Sequence, residues 1–258
     1  MPVKKLLSDN YAGELAVKVR SAVKDKKALA ISVEPPHEQG TTNICSVDRH
    51  GNAVAMTLTH GNPFGAQVTV DGLGLTLGHG MSRFEPNPRH PNAPGPGKRP
   101  LMGVSPSLVL RKGIPVMAVG AGGGVKIPNC LFDVLTQFVL QEASMESAVA
   151  AQRLHTTGTL SVAVEPHFPK ETAQYLTGVG FKVQTSESSA IVSAVSFNPG
   201  NGECRGAIRG GLLTSSSVPS AGIRSRLALT LDAVHCASLS GLSRVATVPP
   251  QEKPIAAC

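Results

Sequence analysis

Tryptophan is absent, and aromatic residues make up only 3% of the 258-residue chain. That leaves no platform for stacking bases. The five cysteines (Cys45, Cys130, Cys204, Cys236 and Cys258) are odd in number, and no two have a ligand spacing such as Cys-x-x-Cys. Buried free thiols are therefore expected, and neither a disulfide framework nor a thiolate metal site is. No run approaches the roughly 20 apolar residues of a membrane span. Met1-Pro2-Val3-Lys4-Lys5 lacks the apolar stretch of a signal peptide, which implies a cytoplasmic protein or a chain lacking its true start. Acidic residues are few, 17 against 24 Lys and Arg, for a net charge of +7. The basic residues are scattered, as in Lys4-Lys5, Lys24, Lys26-Lys27 and Lys98-Arg99. They read as solvated faces rather than a nucleic-acid footprint.

What is present is the composition of a folded chain. Hydrophobic residues reach 41%, charged residues 16%, and 27 Gly and 20 Pro supply turns. Residues 6–28 have helical periodicity, with Leu15, Val19, Ala22 and Val23 on one face. Glu34 to Gly40 reads as an exposed linker. Period two then sets in. Asn43–Asp48 and Ala53–Thr59 flank a turn at Arg49-His50-Gly51-Asn52, and residues 72–77 are a further candidate strand. Residues 85–100, rich in Pro, Gly, Asn and basic residues, form a long irregular loop. Ser107–Leu110 and Ile114–Val119 flank Arg111-Lys112-Gly113 as a hairpin. Pro128 opens a helix with Leu131, Val134, Leu135, Phe138 and Val139 on its stripe. Residues 144–152 form a second helix. Val162–Val164, Phe181–Val183 and Ala190–Phe197 read as strands, and Lys170–Leu176 as a helix. Strands clustered on both sides of paired helices favour an α+β sandwich. The segment 211–258, rich in Ser, Ala, Leu and Arg, offers no partner element and reads as an atypical tail.

Two short motifs have chemistry in them. Gly40-Thr41-Thr42 lies between the linker and a strand. It is either an ordinary loop or a self-cleavage site at which the Thr41 hydroxyl attacks the Gly40 carbonyl. Hydrolysis of the resulting ester would free Thr41, whose own amine then serves as the base for its hydroxyl. Gly120-Ala121-Gly122-Gly123-Gly124 fails as a Walker loop, since no Gly-Lys-Ser/Thr follows, and as Gly-x-Gly-x-x-Gly, since Val125 takes the last position. It is either a tight strand-to-helix turn or an oxyanion hole of backbone N–H groups.

Together these segments resemble the small subunit of gamma-glutamyltranspeptidases. The likeness is in Thr41-Thr42-Asn43, Ser46 to Ala55, Phe64-Gly65, Pro96 to Leu101, Ser105-Pro106, Gly123-Gly124, Ala148 to Ala151, Arg153-Leu154-His155 and Val164-Glu165. Leu6-Leu7-Ser8 and Tyr11-Ala12 resemble the end of the large subunit. The order holds from about residue 1 to residue 207. The chain then divides into a large-subunit remnant and linker (1–40), a small-subunit catalytic region (41–210) and the tail (211–258).

The resemblance implies an αββα N-terminal-nucleophile hydrolase fold, incomplete because most of the large subunit is absent. It implies self-processing between Gly40 and Thr41, then transfer of a gamma-glutamyl or related acyl group through Thr41 to water or an amine. Thr41 matches the nucleophile, Thr59 the threonine that supports it, and Gly123 and Gly124 the oxyanion hole. No metal or organic cofactor is implied. The partners implied are a small-molecule acyl substrate and the missing large-subunit segment. Members of the family are often secreted, periplasmic or membrane-anchored.

Departures fall on the substrate side. Gly61 stands where the family has Asn, with Asn62 adjacent. Gly80 and Arg83 replace the Gln and Asp that hold the substrate ammonium. Met102-Gly103 replaces a Ser-Ser pair, and the family's Gly-Ala-Ser-Asp-Pro-Arg is lost from Ile208 onward. Asn62, Arg83, Met102 and Gly103 are thus the candidate substrate-binding residues. An acylase with a non-glutamyl substrate, or an inactive truncated member acting as an interaction fragment, are the alternatives.

Overall fold

The computed structural model describes residues 3–29, 40–48, 50–186 and 190–209, together with the backbone of 233–238. In chain order its elements are α1 (Val3–Leu6), α2 (Asp9–Lys24), β1 (Thr41–Asp48), β2 (Ala53–Thr59), β3 (Thr69–Val70), β4 (Leu75–Thr76), β5 (Ser107–Arg111), β6 (Ile114–Gly122), α3 (Ile127–Val139), α4 (Met145–Ala150), β7 (Leu154–Thr156), β8 (Ser161–Val164), α5 (Lys170–Gly178), β9 (Lys182–Thr185), β10 (Ile191–Asn198), β11 (Glu203–Arg209) and β12 (Ala233–Ser238). They fall into two compact units. The sequence division at 40/41 and 210/211 follows the cleavage site and the resemblance, and these units are drawn on packing instead.

The smaller unit joins α1 and α2 to the stretch from β7 to β9. Ser8 caps α2 by accepting a hydrogen bond from the Tyr11 N–H. β7 pairs antiparallel with β8, which pairs parallel with β9 through the α5 crossover. Arg153 and Glu165 are both buried. Glu165 Oε2 accepts from the Arg153 N–H at 3.0 Å, and the Arg153 Nε lies 3.4 Å from Glu165 Oε1.

The larger unit is layered. One sheet has the order β12-β1-β2 and the second β11-β10-β6-β5. Along β6, Met117, Val119 and Ala121 turn to one side, where they meet Ile127, Cys130, Leu131 and Val134 of α3 and Met145, Ala148 and Val149 of α4. Those α3 positions follow the i, i+3, i+4, i+7 spacing of one helical stripe. Ala118 turns the other way and packs with Val195 against Cys45 and Val47 of β1. Strands β6 and β10 are therefore buried on both faces, and the layers run helices, sheet, sheet. The far side of β2 is open, with Val54, Met56 and Leu58 exposed at 56%, 42% and 56%.

Three expectations are corrected. The strand over 72–77 is a tight hairpin, β3 and β4, because Gly72 and Gly74 take positive φ and turn the chain there. Strands β7 and β11 went unread: β7 has only 3 residues, and β11 breaks its alternation at Gly206-Ala207-Ile208. In the tail, the backbone of 233–238 pairs antiparallel with β1, with Cys236 opposite Cys45 and Ser238 opposite Asn43. The open edge of β1 supplies that pairing, which local sequence does not signal. The rest of 211–258, and the linker residues 34–39, lie outside the described residues.

Candidate active site

The β1–β2 ladder sets Thr41 opposite Thr59. Their hydroxyl oxygens are 2.8 Å apart, either one donating. The Gly61 N–H donates to Thr59 Oγ1 at 2.9 Å and so fixes that hydroxyl from behind. Thr59 keeps its proton and a lone pair for Thr41.

The peptide before Thr41 is clamped just beyond the regular ladder. The His60 N–H donates to the Gly40 carbonyl at 3.1 Å, and the Gly40 N–H donates to the Gly61 carbonyl at 3.1 Å. The first of these bonds draws electron density from the carbonyl that Thr41 would attack. A β-carbon on Gly40 would lie 2.9 Å from the Asn62 carbonyl oxygen, so no larger residue fits here without a shift.

The glycine run divides into two kinds. Gly120 and Gly122 are strand residues of β6 facing β1. A β-carbon on Gly120 would overlap the Asn43 carboxamide, and one on Gly122 would lie 2.6 Å from the Thr41 carbonyl oxygen. Gly123 and Gly124 have φ of +147° and +59° and turn the chain into α3. An L side chain is strained at either position. This turn is thus placed beside Thr41 by the contact between Gly122 and Thr41.

The structure therefore brings Gly40, Thr41, Thr59 and the Gly122–Gly124 turn together. Gly103 joins them: its β-carbon position lies 3.8 Å from the Gly124 carbonyl oxygen and 3.8 Å from Pro128 Cγ. Met102 is exposed beside it. Asn62 contributes its backbone to Gly40, while its side-chain Nδ2 lies 2.8 Å from His79 Nδ1. With the amide donating, that contact holds the imidazole as its Nε2–H tautomer. His79 opens the turn Gly80–Arg83, and the Arg83 carbonyl accepts from Asn92 Nδ2 at 2.7 Å. Lys98 Nζ donates to the Ala93 carbonyl at 3.0 Å, so this cation also holds its own loop.

Sequence reasoning missed His60, His79, Asn43 and Ser193. The last two were illegible because their role lies in a contact between sheets. Gly120 and Gly122 did give a signal: glycines two apart in a strand mark a close approach on one face. Burial pushes the Cys45 thiol above its ordinary value, with Asn43 and Ser193 acting against that, so it stays protonated. Among the described residues, no group of three or more His, Cys, Asp or Glu is placed to hold a metal ion. Also among them, no helix is long and apolar enough to cross a membrane.

A strand-borne threonine beside a glycine turn, on a sheet stacked against a helix-covered sheet, defines an N-terminal-nucleophile hydrolase fold. Residues 1–210 match the gamma-glutamyltranspeptidase family model, and the chain belongs to that family. Over 170 residues it is 36% identical to a glutathione hydrolase proenzyme of a Pseudomonas species, covering 60% of this chain and 29% of that protein. It is 29% identical over 200 residues to the acylase ACY 1 proenzyme of another Pseudomonas strain, covering 77% of this chain and 35% of that protein. A mutant Helicobacter pylori gamma-glutamyltranspeptidase superposes with a TM-score of 0.58 at 26% identity, covering 66% of this chain and 98% of that one. The Pseudomonas nitroreducens enzyme complexed with L-DON gives 0.56 at 28% identity, covering 70% and 98%. The chain thus spans about a third of the length of the curated relatives it matches.

Proposed function

We propose that this chain is the catalytic portion of a self-processing gamma-glutamyltranspeptidase-like acyl hydrolase or transferase with Thr41 as its nucleophile. The observation that supports this best is the 2.8 Å pair of Thr41 and Thr59 hydroxyls immediately after the clamped Gly40 peptide. In processing, Thr41 Oγ1 bonds to the Gly40 carbonyl carbon and the Gly40–Thr41 C–N bond breaks. The nitrogen takes up a proton, leaving an ester. Water then hydrolyses the ester, giving a Gly40 carboxylate and a free Thr41 amine and hydroxyl.

In turnover the freed amine takes the hydroxyl proton as Thr41 attacks an acyl donor. Backbone N–H groups at Gly123 and Gly124 face the developing oxyanion, and the leaving amine departs protonated. Water or an acceptor amine then takes the acyl group from Thr41. The acyl group is gamma-glutamyl or a relative of it. The open face bearing Val54, Met56 and Leu58 calls for a covering layer. Large-subunit sequence is its proposed occupant and would supply the rest of the substrate site.

Mass spectrometry of the purified chain tests this reading. A fragment beginning Thr41-Thr42 is expected from the wild type and none from Thr41→Ala. Persistent full-length wild-type material would instead favour an unprocessed interaction fragment.

A further inference from the structure

We infer that Asn43 is a positioning residue that pins the nucleophile strand to the oxyanion strand. This rests on the reading of Thr41 as the nucleophile. Asn43 lies two residues along β1 from Thr41, on the same face, and is fully buried. Its carboxamide is held on both ends. Thr57 Oγ1 donates to Asn43 Oδ1 at 2.8 Å, and Asn43 Nδ2 donates to Ser193 Oγ at 2.5 Å. Thr57 belongs to β2, and Ser193 belongs to β10 of the other sheet. The same amide lies 3.2 Å from Cys45 Sγ, whose thiol donates to the Ser193 carbonyl at 3.4 Å.

Around this network the two sheets meet through apolar groups such as Val47, Ala118 and Val195. Apolar contact is non-directional and permits sliding. A buried hydrogen-bonded carboxamide is directional and costly to displace. Asn43 also fills the space left by Gly120, and Gly122 lies one strand repeat further on, against the Thr41 carbonyl. Fixing Asn43 against Gly120 therefore fixes Thr41 against Gly122, and with it the nucleophile against Gly123 and Gly124. A misplacement of about an ångström in such a pair lowers rate by up to about a hundredfold.

The test compares wild type with Asn43→Ala, Ser193→Ala, Gly120→Ala and the double variant Asn43→Ala/Gly120→Ala. In the double variant, the new methyl takes up part of the space of the lost carboxamide without restoring its hydrogen bonds. Thermal midpoints and the rate of appearance of the Thr41 amine are measured on each. The double variant is expected to regain much of the stability lost in Gly120→Ala while processing stays slow, by about tenfold or more. Ser193→Ala should slow processing in the same direction and keep the fold.

Processing that recovers in step with stability would overturn the role, since a filled core would then suffice. Wild-type speed in folded Asn43→Ala or Ser193→Ala would overturn it too. If the wild type itself is never cleaved, it is the nucleophile reading that fails. The pin is then decided by hydrogen exchange: faster exchange confined to 41–47 and 116–124 in Ser193→Ala and the double variant supports it, and unchanged exchange there overturns it.

Discussion

The carbonyl oxygen of Thr41 lies 2.6 Å from the place where a β-carbon on Gly122 would stand. The two strands touch there backbone to backbone, with no room for a methyl group. Gly122→Ala should therefore push β6 from β1, costing about 1–3 kcal/mol of stability as overpacked cores do. It should also separate Thr41 from the Gly123–Gly124 turn. Urea unfolding and the yield of the Thr41-Thr42 fragment would both fall. A fragment yield equal to wild type would show that this contact is not needed for processing.

In the proposed reaction Thr59 supports the nucleophile through a single hydroxyl. Thr59→Val keeps the shape but removes the partner of Thr41 Oγ1 and leaves the Gly61 N–H without its acceptor. A neutral hydrogen bond of this kind contributes about 1 kcal/mol net, so processing should slow by about fivefold. Thr59→Ser should stay near wild type. Thr41→Ser should still cleave, and Thr41→Ala should not. A time course by mass spectrometry separates these outcomes.

Much of this arrangement could be read from the residues. Period two located β1, β2 and the β5–β6 hairpin, and Pro128 with its apolar stripe located α3. Each signal is local: alternation, a turn residue or a helix start. Gly40-Thr41 and Gly123-Gly124 stood out because the chemistry proposed for them needs glycine at fixed places. The β7 and β11 strands and the pairing of 233–238 did not stand out, because neighbouring strands define them. The same holds for Asn43 and Ser193. They are 150 residues apart in sequence, and only the stacking of two sheets makes them partners. His79 was missed for a related reason, since its contact with Asn62 joins the segment after β2 to the segment after β4.

The β1–β2 turn carries a pH signature. Asp48 Oδ2 accepts from Asn52 Nδ2 at 2.7 Å, and Oδ1 accepts from the His50 and Asn52 N–H groups at 2.9 Å each. The Asn52 side chain is the largest cause holding this carboxyl below its ordinary value of 3.8. A depressed folded-state value means that the unfolded chain binds the proton first on acidification. The contribution is fully present above pH 3.8 and is lost as pH falls through the folded value. Asp48→Asn should therefore lower the urea midpoint at pH 7, and the gap to wild type should close on acidification below pH 3.8. A gap independent of pH would assign the effect to geometry rather than charge.

We propose that Gly80 and Arg83, which by the resemblance replace an ammonium-binding Gln and Asp, set the substrate preference. Arg83 closes the turn that begins after His79. A guanidinium suits an anion or a carbonyl. An ammonium held near Arg83 in a partly buried site would lose on the order of kilocalories per mole. With the processed protein supplied with its large-subunit portion, an amine-free acyl anilide should be cleaved faster than the gamma-glutamyl anilide. Arg83→Asp should reverse the order, chiefly through KM, because it restores an anion at the family's ammonium position without touching Thr41. A wild-type preference for the gamma-glutamyl compound, unchanged in Arg83→Asp, would remove Arg83 from the substrate site and leave the ordinary donor in place.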